Sequence, residues 1–120
     1  DILDARVGSR DQVDRMVGEI VKIANEAVAT GMEVVKMGRY DRLMTTLNGN
    51  EVEMNAVTSA MSRALQYYAN YIRYANSAEK EKKQGYGSDY YDKESKAIAG
   101  SLKKILNAFK KGDGTNINRY

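Results

Sequence analysis

Not one of the 120 residues is proline. Proline removes a backbone donor and clashes with the preceding turn, so its absence leaves the whole chain free to form long uninterrupted helices. A chain of this length carries several prolines on average. The length suits one domain with a core of its own and is too short for two. Hydrophobic residues at 42% and charged residues at 29% match folded soluble proteins rather than disordered ones.

The periodicity then predicts where the helices lie. Ser9 and Gln12 have the spacing of a capping box, with Asp11 and Asp14 at the positive end of the helix dipole. From there Val13, Met16, Val17, Ile20, Ala24, Ala27, Val28, Met32 and Val35 recur in steps of three and four, one apolar face of a helix over 11–37. Thr30-Gly31 is a candidate kink and Gly38 the expected stop. Tyr40, Leu43, Met44 and Leu47 predict a short helical segment over 40–47, broken by Asn48-Gly49. Asn50 and Glu53 resemble a second capping box, opening a helix over 51–84 with Val57, Met61, Ala64, Leu65, Tyr68, Ile72 and Ala75 inward. Gly85-Tyr86-Gly87-Ser88 is a loop, with Gly85 suited to a left-handed stop and Ser88 to the next N-cap. A last helix over 89–111 buries Tyr91, Ile98, Leu102, Ile105, Leu106 and Phe109, and residues 112–120 read as a flexible tail. No run of five residues alternates with the period of a strand, and no internal repeat is present. The predicted fold is all-α, an antiparallel bundle of three to four helices in a single domain.

Composition narrows the chemistry. With no histidine and no cysteine, triads, zinc sites and histidine-bearing di-iron clusters are excluded, and no disulfide forms. The redox compartment stays open. Glu19, Glu26 and Glu33 stand at helical spacing from Arg15, Lys22 and Lys36, the pattern of a solvated face rather than of an acid–base pair. The sequence 112–118 places oxygen side chains at alternate positions but lacks the acidic run and closing glutamate of a calcium loop. Gly85-x-Gly87 lacks the strand, further glycine and lysine of a phosphate loop. No enzyme activity, cofactor or metal is therefore expected. No apolar run reaches the roughly 18 residues of a membrane span, and no signal peptide is visible. The chain starts at Asp1 rather than Met, from which we expect a leader, a pro-segment or a cut boundary upstream, with the choice among them left open.

The net charge of +3 is unevenly spread: residues 1–48 carry 7 basic and 8 acidic side chains, 49–87 carry 5 and 4, and 88–120 carry 7 and 4. Within the last helix Asp89, Asp92 and Glu94 lie at the start and Lys103, Lys104, Lys110 and Lys111 at the end. That order complements the helix dipole, and the same four lysines are candidates for an anionic surface.

Tyrosine is the most distinctive feature. Seven of the nine lie between positions 67 and 91. Tyr67, Tyr71 and Tyr74, at four- and three-residue spacing and flanked by Arg63, Asn70 and Arg73, make an aromatic strip wider than one core face requires. Three readings compete: rings half-buried between helices with wet hydroxyls, a protein interface, where tyrosine and arginine are enriched, or a stacking platform for single-stranded nucleic acid with arginines on phosphates.

With Leu47-Asn48-Gly49 at a central turn, and Tyr90 and Glu94 spaced Tyr-x-x-x-Glu, the plan resembles the helical-hairpin substrates of type VII secretion and, more loosely, the needle subunits of type III secretion. That resemblance implies a secreted helical hairpin. The first family has tryptophan where Leu47 stands, and its tyrosine motif lies in a trailing segment, so no membership follows. The expected function is a non-enzymatic structural or interaction module that self-assembles or binds another protein through the tyrosine-rich helical surface, as in a secreted, filament-forming or virion component. The alternative is a nucleic-acid-binding helical domain using Arg63, Tyr67, Tyr71, Arg73 and Tyr74 with the C-terminal lysines.

Overall fold

A computed structural model describes residues 8–30, 33–37 and 40–120, with side chains for 8–29 and 41–120. The expectations for the lead residues 1–7, for Gly31 and Met32 at the kink and for the stop at Gly38 lie outside the described residues. Among the described residues three helices, α1 (Arg10–Thr30), α2 (Met54–Lys83) and α3 (Asp89–Lys111), enclose the core. Between α1 and α2 runs a three-stranded antiparallel sheet of β1 (Glu33–Met37), β2 (Tyr40–Leu47) and β3 (Asn50–Glu53), in the order β1-β2-β3.

The sheet overturns the all-α expectation. The helix expected over 11–37 ends at Thr30, and the segment expected as helix over 40–47 is a strand. The physical reason lies at Asn48-Gly49. Both residues have positive φ, 48° and 79°, and they join the paired residues Leu47 and Asn50, as a two-residue hairpin turn of the primed type requires. The three strands carry Val34, Val35, Thr45, Thr46 and Val52, of the branched types that fit a pleated surface. Steps of three between Tyr40, Leu43, Met44 and Leu47 imitate a helical face, but the hydrogen-bonded register Met44↔Glu53, Thr45↔Val52, Thr46↔Glu51 belongs to a hairpin. The helical hairpin implied by the secretion-substrate resemblance is therefore absent at this turn.

The helical expectations fare better where one apolar face persists. Val13, Met16, Val17, Ile20, Ala24 and Ala27 of α1 are all buried. They meet Val57, Ala60, Ala64 and Tyr71 of α2 and Ala99, Leu102, Ile105, Leu106 and Phe109 of α3 in one cluster. Alanine at positions 60 and 64 of α2, neither with any exposed surface, lets neighbouring helices approach closely. The sheet closes one end of this core through Leu47 and Val52. Thr45, itself buried, donates its hydroxyl to the Ala27 carbonyl near the end of α1, which ties strand to helix and satisfies a polar group inside.

The helix ends show which capping signals are used. Gln12 donates its backbone N–H to Ser9 Oγ at 3.3 Å, but Gln12 Oε1 is buried without a partner, so only half of the capping box forms. Asn50 is no N-cap. It sits in β3, and Glu53 precedes α2 with no side-chain cap. At the end of α2, Gly85 with φ 80° and the bonds Tyr86 N–H to Glu81 O and Gly85 N–H to Lys82 O make a Schellman stop.

Residues 112–120, expected as a flexible tail, instead fold back on the bundle. Gly112 turns left-handed at φ 68°, and Asp113 N–H reaches the Ala108 carbonyl, a second Schellman stop. Asp113 accepts from the backbone N–H groups of Thr115 and Asn116, both at 3.2 Å, and from Asn116 Nδ2 at 2.7 Å. The resulting turn drives Ile117 into the core, where no part of it reaches solvent. The hairpin completes this end: Asn50 Nδ2 donates to the carbonyls of Lys111 and Gly112 at 3.2 and 3.1 Å, supplying partners that the last turn of α3 lacks.

Candidate interaction surface

The tyrosine strip does not act as one surface. Its N-terminal part is used inside the molecule. Tyr71 is 3% exposed, and its hydroxyl donates to the Gly8 carbonyl. Burial, the largest influence, pushes the Tyr71 phenol above its ordinary range. Tyr68 donates to Asp14 Oδ1 on α1, and that hydrogen bond is the first cause raising its own pKa. Tyr67 donates to the Tyr120 carbonyl and Arg63 to the Asn118 carbonyl, so both hold the C-terminal segment. One helix thereby holds α1 at Asp14 and the preceding Gly8 with a phenol each, and residues 118–120 with a phenol and a guanidinium.

The C-terminal part of the strip faces outward. Tyr74, half-buried, meets the two tyrosines that open α3: its ring centroid lies 6.4 Å from that of Tyr90, nearly edge-on at 77°, and 6.2 Å from that of Tyr91. Tyr90 and Tyr91 pack edge to face at 5.3 Å. Such tilted contacts pair the positive edge of one ring with the negative face of the next. The exposed Arg73 guanidinium lies 5.8 Å from the Tyr74 centroid, within cation–π range, and takes the Asn70 side-chain oxygen at 3.2 Å. Tyr90 remains 62% exposed and Tyr86, in the adjoining loop, 66%. Tyr74 is the largest influence raising the Tyr90 phenol, followed by Glu94.

Of the candidate residues, then, Asn70, Arg73 and Tyr74 border an exposed aromatic surface, whereas Arg63, Tyr67 and Tyr71 do not. Tyr90 and Tyr91 complete it, and sequence reasoning placed neither beside Tyr74. Their meeting depends on the path of residues 84–88 between the helices, which no spacing rule encodes. All four candidate lysines are exposed: Lys110 pairs with Glu19 at 3.2 Å across the surface, and Lys104 lies 5.5 Å from the Tyr120 ring centroid. From Tyr91 to Lys103 the helix advances about 18 Å, so these lysines share no patch with Tyr74, Tyr90 and Tyr91.

Among the described residues no three acidic side chains converge as a metal site would need, and no helix is long and apolar enough to cross a membrane. Comparison with protein families, curated proteins and solved structures finds no match to this chain.

Proposed function

We propose that this chain is a non-enzymatic interaction module that packs against another protein or a second copy of itself through the surface formed by Tyr74, Tyr90 and Tyr91 with Arg73 and Tyr86. The observation that carries the reading is a cluster of three touching tyrosine rings between two helices, with Tyr90 exposed, Tyr74 and Tyr91 half-buried, and an arginine at its border. Large rigid rings offer contact area at a low entropic cost, and tyrosine and arginine are enriched at the anchors of protein interfaces. A chain without histidine or cysteine also lacks the commonest proton-transfer side chain and the thiol nucleophile. The nucleic-acid alternative gains little support: Arg63 is held on the Asn118 carbonyl, and Lys104 and Lys110, though exposed, lie beside Tyr120 and Glu19 rather than beside the tyrosine cluster.

Sedimentation over a concentration series, on the wild type and on Tyr90→Ala, tests the proposal. Self-association, or association with a captured and identified protein, should weaken by about 2 kcal/mol in the variant with its melting temperature unchanged. Equal association by both proteins would remove this surface from consideration.

A further inference from the structure

The same three rings suit a covalent reaction that does not depend on any partner. We propose that Tyr74 and Tyr90 are an oxidative coupling site, which a one-electron oxidant of the haem-peroxidase class joins into an intrachain dityrosine linking α2 to α3.

Three features carry this. Tyr90 is open enough, at 62% exposure, to lose an electron to an oxidant that cannot enter the protein. Tyr74 is half-buried but has its ring centroid 6.4 Å from that of Tyr90, so a radical formed at the surface has a second phenol within reach. The carbons that couple flank the hydroxyls and bond through their ring faces; the rings meet nearly perpendicular, at 77°, and the exposed Tyr90 side chain reorients fast enough to bring the two carbons together. Tyr86 serves as an internal comparison. It is as exposed, at 66%, but makes none of the ring contacts within the cluster.

The chemistry balances as follows. Each phenol gives one electron to the oxidant and its hydroxyl proton to water, leaving two phenoxyl radicals. Their ortho carbons form one carbon–carbon bond, and each ortho hydrogen then moves to a phenolic oxygen as the rings become aromatic again. The chain loses two electrons and two protons in all, and a peroxidase passes both electrons to hydrogen peroxide, giving two water molecules. The new bond ties residues 74 and 90 across the loop between α2 and α3, restricting the unfolded chain as any crosslink does.

The test treats the purified full chain, dilute enough to be monomeric, with a haem peroxidase and hydrogen peroxide, followed by peptide mapping by mass spectrometry. We expect a species of monomer mass lighter by two hydrogens, with the crosslink mapping to Tyr74 and Tyr90, dityrosine fluorescence and a raised melting temperature. Tyr90→Phe should reduce intrachain fluorescence to a minor fraction, and Tyr86→Phe should leave it unchanged. Circular dichroism should be the same for both, since each removes one exposed hydroxyl. Crosslinks found only between chains, an intrachain link that follows Tyr86, a link from Tyr74 to Tyr91 instead, or undiminished fluorescence in Tyr90→Phe would each overturn the assignment. Because the reaction is read on the monomer, it can succeed where the interface proposal fails, and the reverse.

Discussion

The Tyr71 hydroxyl donates to the carbonyl of Gly8, a residue 63 positions earlier in the chain. With Tyr68 on Asp14, it anchors the start of α1 to the middle of α2. Truncating Tyr71 to alanine removes a large side chain from the core and leaves the Gly8 carbonyl without this donor, so Tyr71→Ala should cost roughly 3 to 4 kcal/mol of folding stability. Tyr71→Phe keeps the ring and should cost about 1 kcal/mol. Chemical denaturation of the two variants separates packing from hydrogen bonding, and an alanine variant as stable as the wild type would contradict the buried position.

These phenols also set an alkaline limit. Tyr71 is raised chiefly by burial and Tyr68 chiefly by its bond to Asp14, so in each the folded pKa exceeds the unfolded value of about 10. A group with a raised folded pKa contributes its full stability below the unfolded value and loses it as pH rises through the folded one. Stability should therefore decline above about pH 10, and the decline should be shallower in the double variant Tyr68→Phe/Tyr71→Phe. Denaturation midpoints measured on both proteins from neutral to strongly alkaline pH give the comparison, with identical slopes as the contrary result.

At the opposite end of the scale, Asp113 behaves in the reverse sense. Its pKa is held down first by the Asn116 side chain and then by the Asn116 backbone N–H. A depressed folded pKa gives stability that is present above the unfolded value of about 3.9 and lost as pH falls through the folded one. Asp113→Asn should flatten the acid limb of the stability profile below about pH 4, which a titration monitored by circular dichroism would register.

Where one apolar face persists for several turns, sequence and structure agree at most positions, because packing and periodicity demand the same residues. Ile20, Val57 and Leu102 fall on the predicted inward faces and have no exposed surface, whereas Leu65, predicted inward on α2, is 44% exposed. The sheet was hidden for a different reason: its strands are short, and their apolar residues fall at steps of three as well as two. The one decisive signal, Asn48-Gly49, marks a break under helical spacing but is a hairpin turn in the structure. Asn50 is more instructive still, since a residue that looks like the N-cap of the following helix instead caps the C-terminus of α3, a long-range role that local spacing does not reveal. The candidate site was half legible. The strip on α2 was found, but which tyrosines it spends on internal contacts and which it leaves exposed depends on where Gly8, Asn118 and Tyr120 come to rest.

Gly112 stands where the end of α3 meets the hairpin. A Cβ there would lie 2.1 Å from the Leu47 carbonyl oxygen, and the backbone already occupies the left-handed region at φ 68°. Neither obstacle can be relieved by turning a side chain, because the opposing atom is backbone. Gly112→Ala should destabilise by more than the roughly 1 kcal/mol that left-handed strain alone costs. Gly49→Ala, at φ 79° with open space around it, should show the strain without the clash. Equal losses in the two variants would mean that the hairpin does not press on α3 as described.

The last prediction concerns the C-terminal segment, whose place in the core is the feature least expected from its polar, glycine-bearing sequence. Ile117 has no exposed surface, and the segment around it is held by the Asp113 turn, by Arg63 on the Asn118 carbonyl and by Tyr67 on the Tyr120 carbonyl. Replacing Ile117 with alanine should cost about 2 to 4 kcal/mol, the range for removing a large aliphatic side chain from a filled core. Arg63→Ala should act on the same segment, and because the two residues serve one docking event their effects should be less than additive. A tail that is merely adjacent would behave otherwise: its truncation would be tolerated within about 0.5 kcal/mol, as surface changes usually are, and a protease would trim it without lowering the melting temperature. Denaturation of the two single variants and the double variant, with limited proteolysis of the wild type, therefore decides whether residues 112–120 are part of the fold or a strand of chain lying beside it.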